Sequence, residues 1–72
     1  MNNPKFRKEV GERIKAARLK AKLTQAEVAK KAGINTNYYS VIERGEVNTT
    51  LEKLQKISKA LGLDVSDITK TK

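Results

Sequence analysis

LTQAEVAKKAGINTNYYSVIERG, from Leu23 to Gly45, decides how this chain folds. Thr24-Gln25-Ala26-Glu27 has the T-x-x-E form of a capping box. In that arrangement the threonine hydroxyl accepts from an amide one turn on, while the glutamate reaches back to the cap amide. Ala26, Ala29 and Ala32 then give the helix a slim face on which another helix can lie close. Gly33 stands where the helix must stop, because the residue past a C-terminus commonly needs positive φ. Asn35 is placed to cap a following helix and Gly45 to end it. The stretch therefore predicts two short helices, about 25–32 and 36–44, joined by one tight turn.

Upstream, Pro4 suits the first turn of a helix capped by Asn2 or Asn3. Phe6, Val10, Ile14, Ala17 and Ala21 recur every three or four residues, the spacing of one buried helical stripe. Leu19 falls off that stripe and is expected at the surface. On the third helix Tyr39 and Ile42 face inward, which leaves Val41 outside. Downstream, Thr49-x-x-Glu52 reads as a second capping box, with Thr50 as the alternative cap. Leu51, Leu54, Ile57, Ser58 and Leu61 form the inner stripe of a fourth helix, and Gly62 its stop. Asp64 caps a last turn from Val65 to Ile68, with Leu63 and Ile68 closing the core. Residues 69–72 have nothing to pack and are expected to fray. With low β-propensity and no hairpin signal, the expectation is an all-α single domain of five helices over residues 1–72.

At 72 residues the chain has room for one small core. A domain of this size buries only about 60% of its unfolded surface. Neither cysteine nor histidine occurs, so no disulfide, thiolate site or imidazole base is available. Apolar runs are too short to span a bilayer, and the first ten residues lack a secretory apolar segment. The cytoplasm is the expected location. Sixteen Lys and Arg against eight Asp and Glu leave a net charge of +8, which suits a polyanionic partner. Lys5, Arg7, Lys8, Arg13, Lys15, Arg18, Lys20 and Lys22 crowd the first segment; Lys30, Lys31, Lys53, Lys56 and Lys59 follow. Many of these make ordinary solvated faces, with Glu9 and Glu12 as local partners for Arg13 and for Lys8 or Lys15.

Catalysis has little to work with. Glu27, Glu43 and Glu52 each have a structural explanation, and neither a Gly-rich phosphate loop nor a metal-spaced cluster appears. No catalytic residue, metal, cofactor or small-molecule ligand is expected. Double-stranded DNA is the expected partner, met by the third helix in a major groove. Thr36, Asn37, Ser40 and Val41 are the candidate base readers. Asparagine pairs with adenine, serine bonds either base type, and threonine or valine meets a thymine methyl. Gln25, Tyr38, Arg44 and Asn48 are candidate contacts to the DNA backbone. Arg18 and Glu43 are expected to form a structural guanidinium–carboxylate fork between the first and third helices.

Residues Leu23 to Gly45, with TLEKLQKISKALGLDVSDI after them, resemble the Cro/phage-repressor (XRE-type) helix-turn-helix family. LTQAEVAKKAGI, IERG and LxxLxxISKALG carry the likeness, which covers about Val10 to Ile68. The resemblance implies a five-helix, lambda-repressor-like fold and operator binding as a symmetric homodimer. It matches Gln25 to a phosphate-binding glutamine, Thr36, Asn37 and Val41 to base readers, and Arg18 with Glu43 to a structural salt bridge. Tyr39 departs from the usual aliphatic residue, and Thr36 from a longer Gln or Arg. Tyr38, Ser40, IERG and NTTLE also look like restriction-modification controller proteins, although LDVSDITKTK lacks their aromatic-rich last helix. The competing readings are an antitoxin or protein-interaction adaptor, suggested by Leu19, and a nonspecific DNA binder.

Overall fold

Asn3 begins the fold, its side-chain oxygen accepting from the Lys5 amide at 2.8 Å, with Pro4 as the first helical residue. The computed structural model describes residues 3–70, so Asn2, the other expected cap, lies outside the described residues. Helix α1 runs Pro4–Lys20, α2 Gln25–Ala32, α3 Thr36–Glu43, α4 Leu51–Ala60 and α5 Val65–Thr69. Among the described residues there is no strand, and no helix is long and apolar enough to cross a membrane.

Local chemistry accounts for most boundaries. The capping box at Thr24 forms: the Thr24 hydroxyl accepts from the Glu27 amide at 3.0 Å, and Glu27 accepts from the Thr24 amide at 2.8 Å. Asn35 caps α3 by accepting from the Asn37 and Tyr38 amides. Asp64 caps α5 in a second capping box, with Asp67. Helices α1 to α4 all stop the same way, by a pair of amide-to-carbonyl bonds that wrap the last turn around a left-handed residue. That residue is Gly33, Gly45 or Gly62 after α2, α3 and α4. After α1 it is Lys22, at φ 60°.

The core is Val10, Ile14, Val28, Ala29, Ala32, Tyr39, Ile42, Leu54, Ile57 and Ile68. Helix α2 packs on α3 and α4, α1 on α3 and α5, and α4 on α5. Buried Ser58 is satisfied by donating to the Leu54 carbonyl at 2.8 Å.

Several expectations shift. Ala21 is exposed because α1 has already ended at that corner. Ala26 is exposed as well, since α2 turns Val28, Ala29 and Ala32 inward instead. Leu51 opens α4 beyond the rim of the core and is 52% exposed. Thr50, rather than Thr49, caps α4 through the Lys53 amide, which frees the Thr49 hydroxyl for Tyr38. Thr69 belongs to α5, its hydroxyl donating to the Val65 carbonyl. Among the described residues Glu9 and Glu12 make no ion pair within 4.0 Å, and Arg13 Nη1 is buried without a hydrogen bond there. Leu19 is exposed, as its place off the stripe implies.

Helix α1 approaches α3 closely at two glycines. A Cβ on Gly11 would lie 2.3 Å from the Glu43 carbonyl oxygen and 2.8 Å from that of Ile42. One on Gly45 would lie 2.8 Å from the Lys8 Cα. Lys8, Gly11 and Arg18 share one face of α1 at spacings of three and seven, and that face carries α3.

Candidate nucleic-acid interface

Helix α3 is anchored from Tyr39 onward. Tyr39 is fully buried and Ile42 nearly so, and the Glu43 side chain is only 3% exposed. Four donors converge on that carboxylate. Arg18 Nε donates to Oε2 at 2.6 Å and Nη2 to Oε1 at 3.3 Å, the expected fork. The Tyr39 hydroxyl donates to Oε2 at 2.6 Å, and Gln25 Nε2 to Oε1 at 3.0 Å. Burial alone would push the Glu43 carboxyl up. The hydrogen bonds from Arg18, Tyr39 and Gln25 outweigh it and hold the group below the usual carboxylate range. Tyr39 shifts upward because it is buried and because ionisation would place a second anion beside Glu43. The extra oxygen that tyrosine brings to this core position is thus satisfied. Arg18 also donates from Nη1 to the Leu23 carbonyl, tying the α1–α2 corner into the same cluster.

The first two residues of α3 face solvent. Thr36 and Asn37 are exposed, and among the described residues their side chains find no hydrogen-bond partner. Asn35 spends its side chain on the cap, so Asn37 keeps a full amide for a partner. Val41 is half-buried but is not packed against the core, in keeping with an outward position.

The remaining candidates are more engaged than the sequence implies. Ser40 is half-buried and its hydroxyl donates to Gln25 Oε1 at 3.1 Å, so its hydrogen is not free for a base. Gln25 is held between Ser40 and Glu43, with one Nε2 hydrogen left over. The Tyr38 hydroxyl donates to Thr49 Oγ1 at 3.1 Å, and Lys53 Nζ sits 5.8 Å from its ring centroid. Tyr38 therefore braces the α3–α4 linker and has no hydroxyl hydrogen to offer a phosphate. Asn48 accepts from Arg7 Nη1 at 3.0 Å, which leaves its amide nitrogen able to donate. Arg44 is exposed and pairs at 3.1 Å with Glu46, a surface contact worth little in water. Arg7 and Gly11 were not singled out by sequence reasoning. Arg7 ties α1 to the linker through Asn48 and the Gly45 carbonyl, and Gly11 sets how closely α1 approaches α3. A glycine amid good helix formers was the available signal for the second.

Two adjacent helices joined at Gly33, with the second buried along its rear and open at its start, define a helix-turn-helix. A family model described as Helix-turn-helix matches residues 14–68, and the chain belongs to that family, of the Cro/phage-repressor (XRE) type. The immunity repressor protein of Bacillus phage phi105 is 46% identical over 59 residues, 82% of this chain and 41% of that protein. The chain thus spans less than half the length of that relative. Control protein C.BamHI of Bacillus amyloliquefaciens is 37% identical over 59 residues, covering 81% of this chain and 73% of its own. Among solved structures, the restriction-modification controller protein C.AhdI from Aeromonas hydrophila superposes with a TM-score of 0.84 at 26% identity. That match covers 86% of this chain and 94% of the controller protein.

Proposed function

We propose that this chain is a sequence-specific, DNA-binding transcription regulator of the cytoplasm, which acts by binding rather than catalysis. Two copies would place their α3 helices in successive major grooves of a palindromic operator, about 34 Å apart. The carrying observation is the division of α3: a buried, ion-paired rear half and a free start at Thr36 and Asn37. Thr36, Asn37 and Val41 read base edges. Gln25, Arg44 and Asn48 position the DNA backbone, with Tyr38 holding the linker beside them. The net charge of +8 supports a salt-dependent affinity for any duplex, on which base reading is superimposed. A phage immunity repressor and restriction-modification controllers among the relatives support a regulatory role.

Selection from random duplexes followed by sequencing tests the reading. A palindromic consensus with half-sites about one helical turn apart is expected. Enrichment of no sequence would leave only nonspecific binding. On the selected duplex, Asn37→Ala should cost about 1–3 kcal/mol while binding to random duplex is largely spared. Equal losses on both would remove Asn37 from the base-reading set.

A further inference from the structure

Gln25 and Arg44 lie on different elements, yet both touch Ser40. Arg44 Nη1 donates to Ser40 Oγ at 3.4 Å, Ser40 Oγ to Gln25 Oε1 at 3.1 Å, and Gln25 Nε2 to Glu43 Oε1 at 3.0 Å. Each group donates to the next, so the chain has a single direction. It ends on a carboxylate, which only accepts. That end fixes the rest, because an amide facing a carboxylate must present its nitrogen. Gln25 Oε1 is thereby turned toward Ser40, and the one hydroxyl hydrogen of Ser40 is committed there. The second Nε2 hydrogen of Gln25 remains, at the first residue of α2.

We infer that Ser40 is a positioning residue, not a base reader: it locks the Gln25 amide so that its remaining Nε2–H meets the DNA backbone. This assignment rests on the proposed DNA reading. The base of the lock is rigid, since Arg18 and Tyr39 hold Glu43 from two further sides. Without the serine hydroxyl, Gln25 keeps a single tether, through Nε2 to Glu43, and its amide plane is free to turn about it. Gln25 is neutral, so its contact with a phosphate releases no counterion and leaves the salt dependence unchanged.

The test compares the full chain with Ser40→Ala, Gln25→Ala and the double variant. Affinity is measured on an in vitro selected duplex and on a scrambled duplex of the same composition, over a salt series. Each single substitution should weaken binding about 3–10-fold on both duplexes, with the double variant no weaker than Gln25→Ala and the salt slope unchanged. In the free protein, the Gln25 side-chain amide should be ordered, as an NMR order parameter measures, and Ser40→Ala should lower that order toward the value of exposed Gln55. A loss confined to the selected duplex would make Ser40 a base reader and overturn the assignment. Additive losses, or wild-type affinity in Ser40→Ala, would overturn it equally. Wild-type protein that binds neither duplex would instead remove the DNA reading beneath it. If Ser40→Ala unfolds, Ser40→Thr against Ser40→Val gives the same comparison, as those side chains differ by only the hydroxyl.

Discussion

Replacing Gly11 with alanine sets two known effects against each other. In an open helix interior the change adds about 1 kcal/mol of stability, because glycine is the poorer helix former. Here the new methyl would lie 2.3 Å from the Glu43 carbonyl oxygen, about 1 Å inside ordinary contact, and 2.9 Å from the Glu43 carbonyl carbon. These neighbours are backbone atoms of α3, so no side chain can swing aside. Relief requires moving α1 from α3, which also opens the Arg18–Glu43 fork two turns further along α1. Overpacking of this kind costs about 1–3 kcal/mol and sometimes more. With the fork strained as well, a net loss of about 2–3 kcal/mol is expected. A core this small supplies only about 3–5 kcal/mol, so Tm should fall by roughly 10–20 °C. Thermal and urea unfolding, followed by far-ultraviolet circular dichroism at fixed protein concentration, measure it. Lys15→Ala, on an exposed part of α1, is the control and should stay within about 0.5 kcal/mol. A Gly11→Ala protein as stable as wild type, or more so, would refute the close α1–α3 approach.

Two further outcomes follow from the same cluster and corner. Because Glu43 has a lowered folded pKa, its contribution is fully present above its ordinary value of 4.5 and is lost as pH falls through the lower folded value. Glu43→Gln leaves Arg18 a carbonyl acceptor but no counter-charge, which should cost about 2 kcal/mol at neutral pH and flatten the acid limb of Tm against pH. An acid limb as steep as that of wild type would assign it to other carboxylates. Lys22→Gly should raise stability by about 0.5–1 kcal/mol, seen as a higher urea midpoint, because φ 60° strains a lysine but not a glycine. An unchanged or lower midpoint would mean that the lysine side chain makes a compensating interaction.

The parts of this fold legible in sequence were those decided within a few residues. Thr24 with Glu27, Asn35, Gly45 and Asp64 announce helix ends because a cap and its amide lie within one turn. The Arg18–Glu43 fork, 25 residues apart, is suggested by the chemistry of the two side chains and supported by the family likeness, while their contact is decided by how α1 meets α3. Gly11 was missed because its reason lies in the backbone of a different helix, and nothing near it in sequence records that contact. Thr49 and Thr50 both suit a cap, and the choice falls to the Tyr38 hydroxyl, which takes Thr49. The same limit applies to the candidate site. Asn37 and Thr36 lie free where their sequence position implied, whereas Ser40 and Tyr38 look outward on a helical wheel but are claimed by Gln25 and Thr49.

The glycine seats at Gly11 and Gly45 have a bearing on how readily this domain can be redirected. They index α3 to α1 by main-chain contact at the rear of the helix, well away from the side chains at its start. Exchanging residues 36, 37 and 41 disturbs neither seat nor the charge cluster at Glu43. New preferences can thus be tried on an unaltered mount, as interchangeable bits are fitted to one chuck.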